Sequence, residues 1–595
     1  MDMRWSLDEL YTSFESKEYI GDLERLDELI KDFADWSEKN LKTTEKAAHK
    51  IETYLKKLID LTNLFTKLIS FASLTSAVDA KNELALKYLD KLQIKYTETT
   101  KPFNQFKSFI ASIDDLDRVI ETSEFLKEHS FYLKEIKLDT KYQLSQEEEI
   151  LIAKMKNTGS KAWAKLQNMV TSTLLVDIEI DGEVKNLPLP VVRNMAYSAD
   201  KNLRKKAYEA ELKAYEKIEE TSAACLNGIK GEVITLCELR GYKSPLEETL
   251  IKSRMDEDIL NAMFTAIKES LPAFHKYFRK KAELLGHKNG LPFYDLFAPI
   301  GSMNRTFTYE EAREYIVNNF RTFSHKLAAF ADRAFENKWI DAEPREGKRG
   351  GAFCSNLHPI KESRIMANFD GSFSNVITLA HELGHGYHGL CLTEESILNS
   401  KYPMPLAETA SIFCETIVVN AALEEASEEE KLSILEASLQ DAGQVIVDIY
   451  SRFLFEDEVF ERRKDHSLTV KELKDMMLEA QKKAYGNGLD HAYLHPYMWV
   501  NKSHYYSAER NYYNFPYAFG QLFSKGLYVK YLENKEAFVK KYDEFLRETG
   551  KNNINDVAKI MDIDVYSVDF YRSSLNLIEE DIEKFVELAD KYMEK

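Results

Sequence analysis

Thr378-Leu-Ala-His381-Glu382-Leu-Gly-His385-Gly-Tyr-His388-Gly389 is the stretch on which the reading of this chain turns. On an α-helix, positions i and i+4 lie one above the other, so His381 and His385 can each direct a ring nitrogen at one metal ion, with Glu382 on the same side. This is the His-Glu-x-x-His spacing of zinc-dependent hydrolysis. The preceding run Asn375-Val-Ile-Thr-Leu-Ala380 is apolar and predicts a buried helix. Gly384, Gly386 and Gly389 each cost a helix about 1 kcal/mol relative to Ala. Their presence predicts close approach of a neighbouring backbone or ligand.

Catalytic zinc takes three protein ligands and keeps a position open. The extended pattern with a third His on the same motif fails, because His388 and Cys391 occupy its Gly and His positions. His388 drifts round the helix and suits a packing role or one behind the ligands. The segment Pro405-Leu-Ala-Glu408-Thr-Ala-Ser-Ile-Phe-Cys-Glu415 predicts a following helix whose two acids, seven apart, share a face. Glu408 lies among Leu406, Ala407, Ala410 and Ile412, and burial there requires a partner. It is the expected third ligand, and Glu415 is the acid expected to hold a ligand imidazole. Glu394, Glu395 and His388 are the alternatives.

The rest of the 595 residues set the frame. An apolar fraction of 44% with 33 Phe and 32 Tyr provides for large cores. No run approaches an uninterrupted membrane span, and the first residues lack a secretory pattern, so a cytoplasmic protein is expected. Five separated cysteines (Cys225, Cys237, Cys354, Cys391, Cys414) suggest neither a disulfide framework nor a thiolate metal site. A net charge of −19 opposes nucleic acid and anionic membrane as partners.

Helical patterning dominates from Ser6 to about Val170. There Ile51, Leu55, Leu58, Thr62, Phe65 and Ile69 predict a core-facing stripe. Between Leu174 and Pro188, Val176, Ile178 and Ile180 alternate with acids before Asp181-Gly182, which predicts a β-hairpin closing an N-terminal helical domain over 1–190. A helix from Asp200 to about Leu239 opens the remainder, 191–595, the expected catalytic domain. Short strands are expected at Ala352–Ser355 and 364–369, just before the His381 helix.

With these residues in place, Thr378-Leu-Ala-His-Glu-Leu-Gly-His385 followed by Ala407-Glu-Thr-Ala-Ser411 resembles the thimet oligopeptidase and oligoendopeptidase F family of zinc peptidases, and its bacterial oligoendopeptidase F branch above all. The hairpin, the Gly351-Ala-Phe353 and Asn368-Phe369 stretches and a Tyr-rich region near the C-terminus fit the same resemblance, which spans essentially the whole chain. Asn375 departs from the Asp common at that position. The resemblance implies a mostly α, two-lobed, clam-like zincin with a deep central channel, small β segments near the active site and one Zn2+ per chain. Short oligopeptides would be the substrates, and the 364–369 segment would offer a strand edge to them.

Glu382 is then the general base in internal peptide-bond hydrolysis. Oxyanion donors are carried over, by resemblance to the family's C-terminal His and Tyr cluster, to His504, Tyr513 and Tyr517. A zinc metallocarboxypeptidase, which would need a basic pocket for a terminal carboxylate, and a non-catalytic helical peptide-binding scaffold are the competing readings.

Overall fold

Helix propensity is reinforced at the starts of elements by side chains that satisfy otherwise unpaired backbone N–H groups. Capping boxes close Ser145 with Glu148, Thr308 with Glu311, Ser427 with Glu430 and Thr469 with Glu472. Each such cap stabilises its helix by about 1 kcal/mol. The computed structural model describes residues 2–301 and 305–594. It is 71% helical, so the mostly α expectation holds.

Two compact units result, each assembled from three stretches of chain. The first takes Met1–Tyr142, Arg305–Ala421 and Lys530–Ile563; the second takes Gln143–Asn304, Ala422–Val529 and Asp564–Lys595. Both therefore draw on either side of position 190.

In the first unit, the Ala47–Val78 helix buries Ile51, Leu55 and Leu58 as the stripe requires. Further along, Leu61, Leu64 and Leu68 replace Thr62, Phe65 and Ile69 on the buried face, so the apolar face rotates away from the expected line. Its neighbours include Phe33 and Phe106, the latter stacked on Tyr54 at 3.7 Å. Around Phe413, an aromatic cluster of Phe323, Phe538 and Tyr542 packs the helix that follows Glu408.

This unit also holds a three-stranded sheet in the order β3-β5-β4: β3 is Ile340–Asp341, β4 Phe353–Leu357 and β5 Glu362–Met366. β4 and β5 are antiparallel with Phe353 opposite Met366, and β3 runs parallel to β5. The 364–369 segment is therefore not an edge. β5 is paired with β4 along its length and with β3 at Ile365 and Met366, and the outer strands of this sheet are the two-residue β3 and the longer β4. The short β3, only two residues long, is what displaces the edge.

In the second unit, β1 (Leu175–Ile180) pairs antiparallel with β2 (Glu183–Pro188) through Asp181 and Gly182, at φ 55° and 80°. Both turn residues are left-handed, as a two-residue hairpin demands. Val176 and Ile178 are buried against Leu189, Val192 and Tyr215. The expected helix over 200–239 is two, Lys201–Tyr215 and Glu219–Arg240, broken at Glu216–Ile218.

Candidate metal centre

The His381 helix runs unbroken from Phe373 to Cys391, and its glycines are explained by what abuts them. A Cβ on Gly384 would lie 2.6 Å from the Ala410 carbonyl oxygen, and one on Gly389 would lie 2.2 Å from the Asn356 side chain. Backbone-to-backbone contact at Gly384 thus brings the start of the Thr409–Glu425 helix against the histidine face. At the helix entrance, Asn375 Oδ1 accepts from the Asp370 N–H at 2.7 Å, so this residue organises the turn into the helix.

Three donor atoms converge as a result. His381 Nε2 and His385 Nε2 are 3.1 Å apart, and Glu408 Oε2 lies 3.3 Å from the first and 3.5 Å from the second. Ligands about 2.0–2.2 Å from a tetrahedral zinc are separated from one another by roughly 3.3–3.6 Å. The three residues form the candidate metal-holding cluster among the described residues.

The electrostatics suit a cation. Burial opposes charge at His381, yet Glu408 and Glu415 outweigh it and raise that imidazole to about 10. Burial likewise acts against the Glu408 carboxylate, but the two imidazoles hold it well below the usual range. Two carboxylates facing two imidazoles form a cluster that takes up positive charge, whether as protons or as metal.

Support for the donors comes from behind. His381 Nδ1 donates to Glu415 Oε1 at 2.7 Å, which fixes the ring with Nε2 turned inward. Ser411 Oγ donates to Glu408 Oε2 at 3.1 Å, a contact the sequence reading missed. Its only signal is the Glu-x-x-Ser spacing at the entrance of a helix. Glu415→Gln should keep the fold and weaken metal affinity by about 10–100-fold, the usual cost of losing such support. Competition with a chelating dye would measure it, and an unchanged affinity would remove Glu415 from this role.

Glu382 is only 6% exposed, and its Oε2 has no hydrogen-bond partner among the described residues. Burial raises this carboxyl above its ordinary value. An unpartnered, buried carboxylate oxygen beside a donor cluster has the properties of a proton acceptor.

The alternatives to Glu408 are engaged elsewhere. Glu394 pairs with Lys361 at 2.7 Å and Glu395 with Lys551 at 2.9 Å. His388 is fully buried, stacks on Tyr402 at 4.0 Å and meets Thr549 Oγ1 at 2.8 Å. Burial, and then the neighbouring His385, lower His388 to about 3, so it stays neutral in a packing role.

His504, Tyr513 and Tyr517 belong to the second unit, where they touch one another. The His504 and Tyr513 rings are 5.1 Å apart, and Tyr513 meets Tyr517 edge-on at 5.7 Å. Their segment is anchored from below: buried Lys230 bonds Glu456 Oε1 at 2.7 Å and Asn511 Oδ1 at 3.1 Å, while Asn514 donates to Glu456 Oε2. Tyr505, Tyr506 and Tyr512 of the same region are core residues.

Among the described residues, one stretch, Met404–Glu425, is long and apolar enough by composition to cross a membrane. Here it contributes Phe413 and Val418 to the interior and carries both Glu408 and Glu415.

Comparisons with known proteins place the chain in one family of peptidases. Over 99% of this chain and 87% of its own length, Oligopeptidase PepF of Bacillus subtilis is 25% identical, and an oligoendopeptidase F homolog of Lactococcus lactis is 24% identical over 92% and 91%. The solved oligoendopeptidase-F of Enterococcus faecium shares the fold with a TM-score of 0.71, covering 96% of this chain and all of that one at 19% identity. An Oligopeptidase F profile matches residues 111–174, and the profile of peptidase family M3 matches residues 194–577. That second match takes in the converged His381, His385 and Glu408 together with most of the chain, which therefore belongs to peptidase family M3.

Proposed function

We propose that this peptidase is a zinc-dependent endopeptidase that cuts internal bonds of short oligopeptides in the cytoplasm. The observation that carries the reading is the convergence of His381 Nε2, His385 Nε2 and Glu408 Oε2 at tetrahedral-edge spacing, with the unpartnered Glu382 carboxylate beside them. The relatives' names, oligopeptidase and oligoendopeptidase, support the substrate class and the internal cut. The cytoplasmic placement rests on the five cysteines, widely separated in the sequence and all outside disulfides in the structure.

A zinc ion held by His381, His385 and Glu408 supplies, when bound, a Lewis acid that polarises the scissile carbonyl and acidifies water towards a pKa of about 7. Glu382, raised by burial, accepts the proton of the attacking water at a carboxylate oxygen and returns it to the leaving amine. Glu415 holds the His381 ring in one tautomer throughout. His504, Tyr513 and Tyr517 are assigned to the developing oxyanion. Burial, and then the cations Arg452, Lys502 and Arg510, lower His504, which favours the neutral ring. A neutral imidazole N–H and two phenol O–H groups are donors that cost no reorganisation as charge develops.

Mass-spectrometric mapping of a mixed peptide digest by the zinc-loaded protein tests the reading. Internal cuts are expected. Stepwise removal of C-terminal residues would replace it with a carboxypeptidase, and zinc binding without turnover would replace it with a binding scaffold.

Two further results follow from the assigned roles. Tyr513→Phe or Tyr517→Phe should lower kcat by about 10²–10³-fold with little change in KM, because the bond forms mainly in the transition state. A change confined to the melting temperature would make that tyrosine structural. Backbone pairing along β4 also requires a substrate whose own backbone is unpaired. Free peptides of roughly 5–20 residues, about 17–70 Å extended, should be cut, while the same sequence grafted into a loop of a stable domain is spared. Equal cleavage of both would overturn the size limit.

A further inference from the structure

Beside the outer edge of β4 lies an open cavity of about 710 Å³, lined by the C-terminal part of the Ala47–Val78 helix, Ala80, Leu89, the 347–349 loop and the first residues of β4. Its volume is in the range of small-ligand sites. We propose that this cavity is a substrate subsite in which Arg349 reads a carboxylate, so that the enzyme favours peptides presenting an acidic side chain or a terminal carboxylate there. The proposal rests on the peptidase reading above and assigns its selectivity.

The alternation of β4 connects the cavity to the donor cluster. Asn356 faces the His381 helix, donating from Nδ2 to the His385 carbonyl at 3.1 Å, and the Cys354 thiol on the same face meets Asn356 Oδ1 at 3.7 Å. Phe353 and Leu357 point the other way, into the core that contains the Ala47–Val78 helix. A peptide added as a further strand has side chains that match this alternation, because residues opposite each other point to one face. One set would face the histidines. The other would project on the Phe353 and Ser355 side, and the cavity is bordered by both of these residues and by Cys354 between them.

The cavity's charge contrasts with that of the chain. The protein has 99 acidic against 80 basic residues, yet the lining contains Lys348 and Arg349 and no acid. Lys348 is already committed: its side chain is fully buried, 2.6 Å from Asp341 Oδ1, and donates to the carbonyls of Asp341, Glu343 and Ala367. Close by, Arg345 also pairs with Asp341, and Glu346 pairs with Lys81 at 2.9 Å. Arg349 has no carboxylate partner among the described residues. Its guanidinium stands 5.7 Å from the Phe353 ring, which places it over the start of the edge strand.

Arg349 is fixed from both sides of its backbone. Its N–H donates to the Ala77 carbonyl at 2.9 Å, and its carbonyl accepts from Asn368 Nδ2 at 3.1 Å. Gly347 and Gly351 flank it at φ 82° and 79°, turns that a side chain would strain. A planar guanidinium on a tethered loop, near an aromatic ring and without a carboxylate partner among the described residues, is suited to bidentate pairing with a carboxylate.

The test uses the zinc-loaded full chain and one cleavable peptide in which Gln is replaced by Glu, and separately by Lys, at each position in turn. Every peptide is made with a free and an amidated C-terminus. At a position of the cavity-facing set, Glu should exceed Gln in kcat/KM by about tenfold, the scale of one charge-assisted pair. Arg349→Gln should abolish that ratio, and Arg349→Glu should transfer the preference to Lys, an inversion that misfolding cannot mimic. A preference lost only on amidation would identify the terminal carboxylate as the group read; one that survives identifies the side chain. Wild-type ratios retained in both variants would overturn the proposal. Affinities of the same peptides for the Glu382→Gln protein, read by fluorescence anisotropy, give the ratio without turnover. Failure to cut any peptide would therefore refute the endopeptidase reading while the subsite is still judged on binding.

Discussion

Glu382→Gln should retain about one zinc per chain while kcat falls by about 10²–10⁴-fold, the usual worth of a positioned proton carrier. The amide keeps the shape of the carboxylate but cannot accept the proton of water. Glu382 is not one of the three converged donors, its Oε2 is without a partner among the described residues, and burial raises its pKa. A group with these properties is wasted as a structural acid, since an unpaired buried oxygen costs free energy for no packing gain. Metal analysis after dialysis, alongside turnover of an internally quenched peptide, checks both halves of the expectation. Loss of zinc from this variant would make Glu382 a ligand and require another base.

Glu408→Ala should release the metal and abolish activity with it. Two imidazoles 3.1 Å apart remain in that variant, but they lack the anionic donor that completes the set. The loss of affinity should exceed the roughly 10–100-fold expected when only a supporting residue is removed. Circular dichroism should show the helices intact, because the Thr409–Glu425 helix is held by Phe413 among Phe323, Phe538 and Tyr542 and not by the carboxylate. Full zinc occupancy would transfer the third position to another acid, and Glu394 and Glu395 would first have to leave Lys361 and Lys551.

Much of the centre was legible because helices convert spacing into direction. His381 and His385 four apart, and Glu408 and Glu415 seven apart, occupy shared faces, and the structure turns those faces towards one another. Glu408 was recognisable by its apolar neighbours, and the hairpin by Asp181-Gly182. What escaped depends on distant partners. The edge of the sheet moved from 364–369 to β4 because a two-residue strand, too short to leave a pattern, pairs with β5. The far half of the Ile51 stripe rotated because Leu61, Leu64 and Leu68 meet the neighbours that the fold supplies. The return of Lys530–Ile563 to the first unit leaves no trace in local periodicity either.

The contact at Gly384 has a consequence for ion selection. Since the Ala410 carbonyl sits where a Cβ would be, the element carrying Glu408 cannot slide along the histidine face without a clash or a gap. The backbone at Gly384 thereby sets how near the Glu408 carboxylate comes to the two imidazoles, although no atom of the glycine is among the three donors. Spacing of this kind bears on which ion a site prefers, because raw affinity alone would favour copper over zinc.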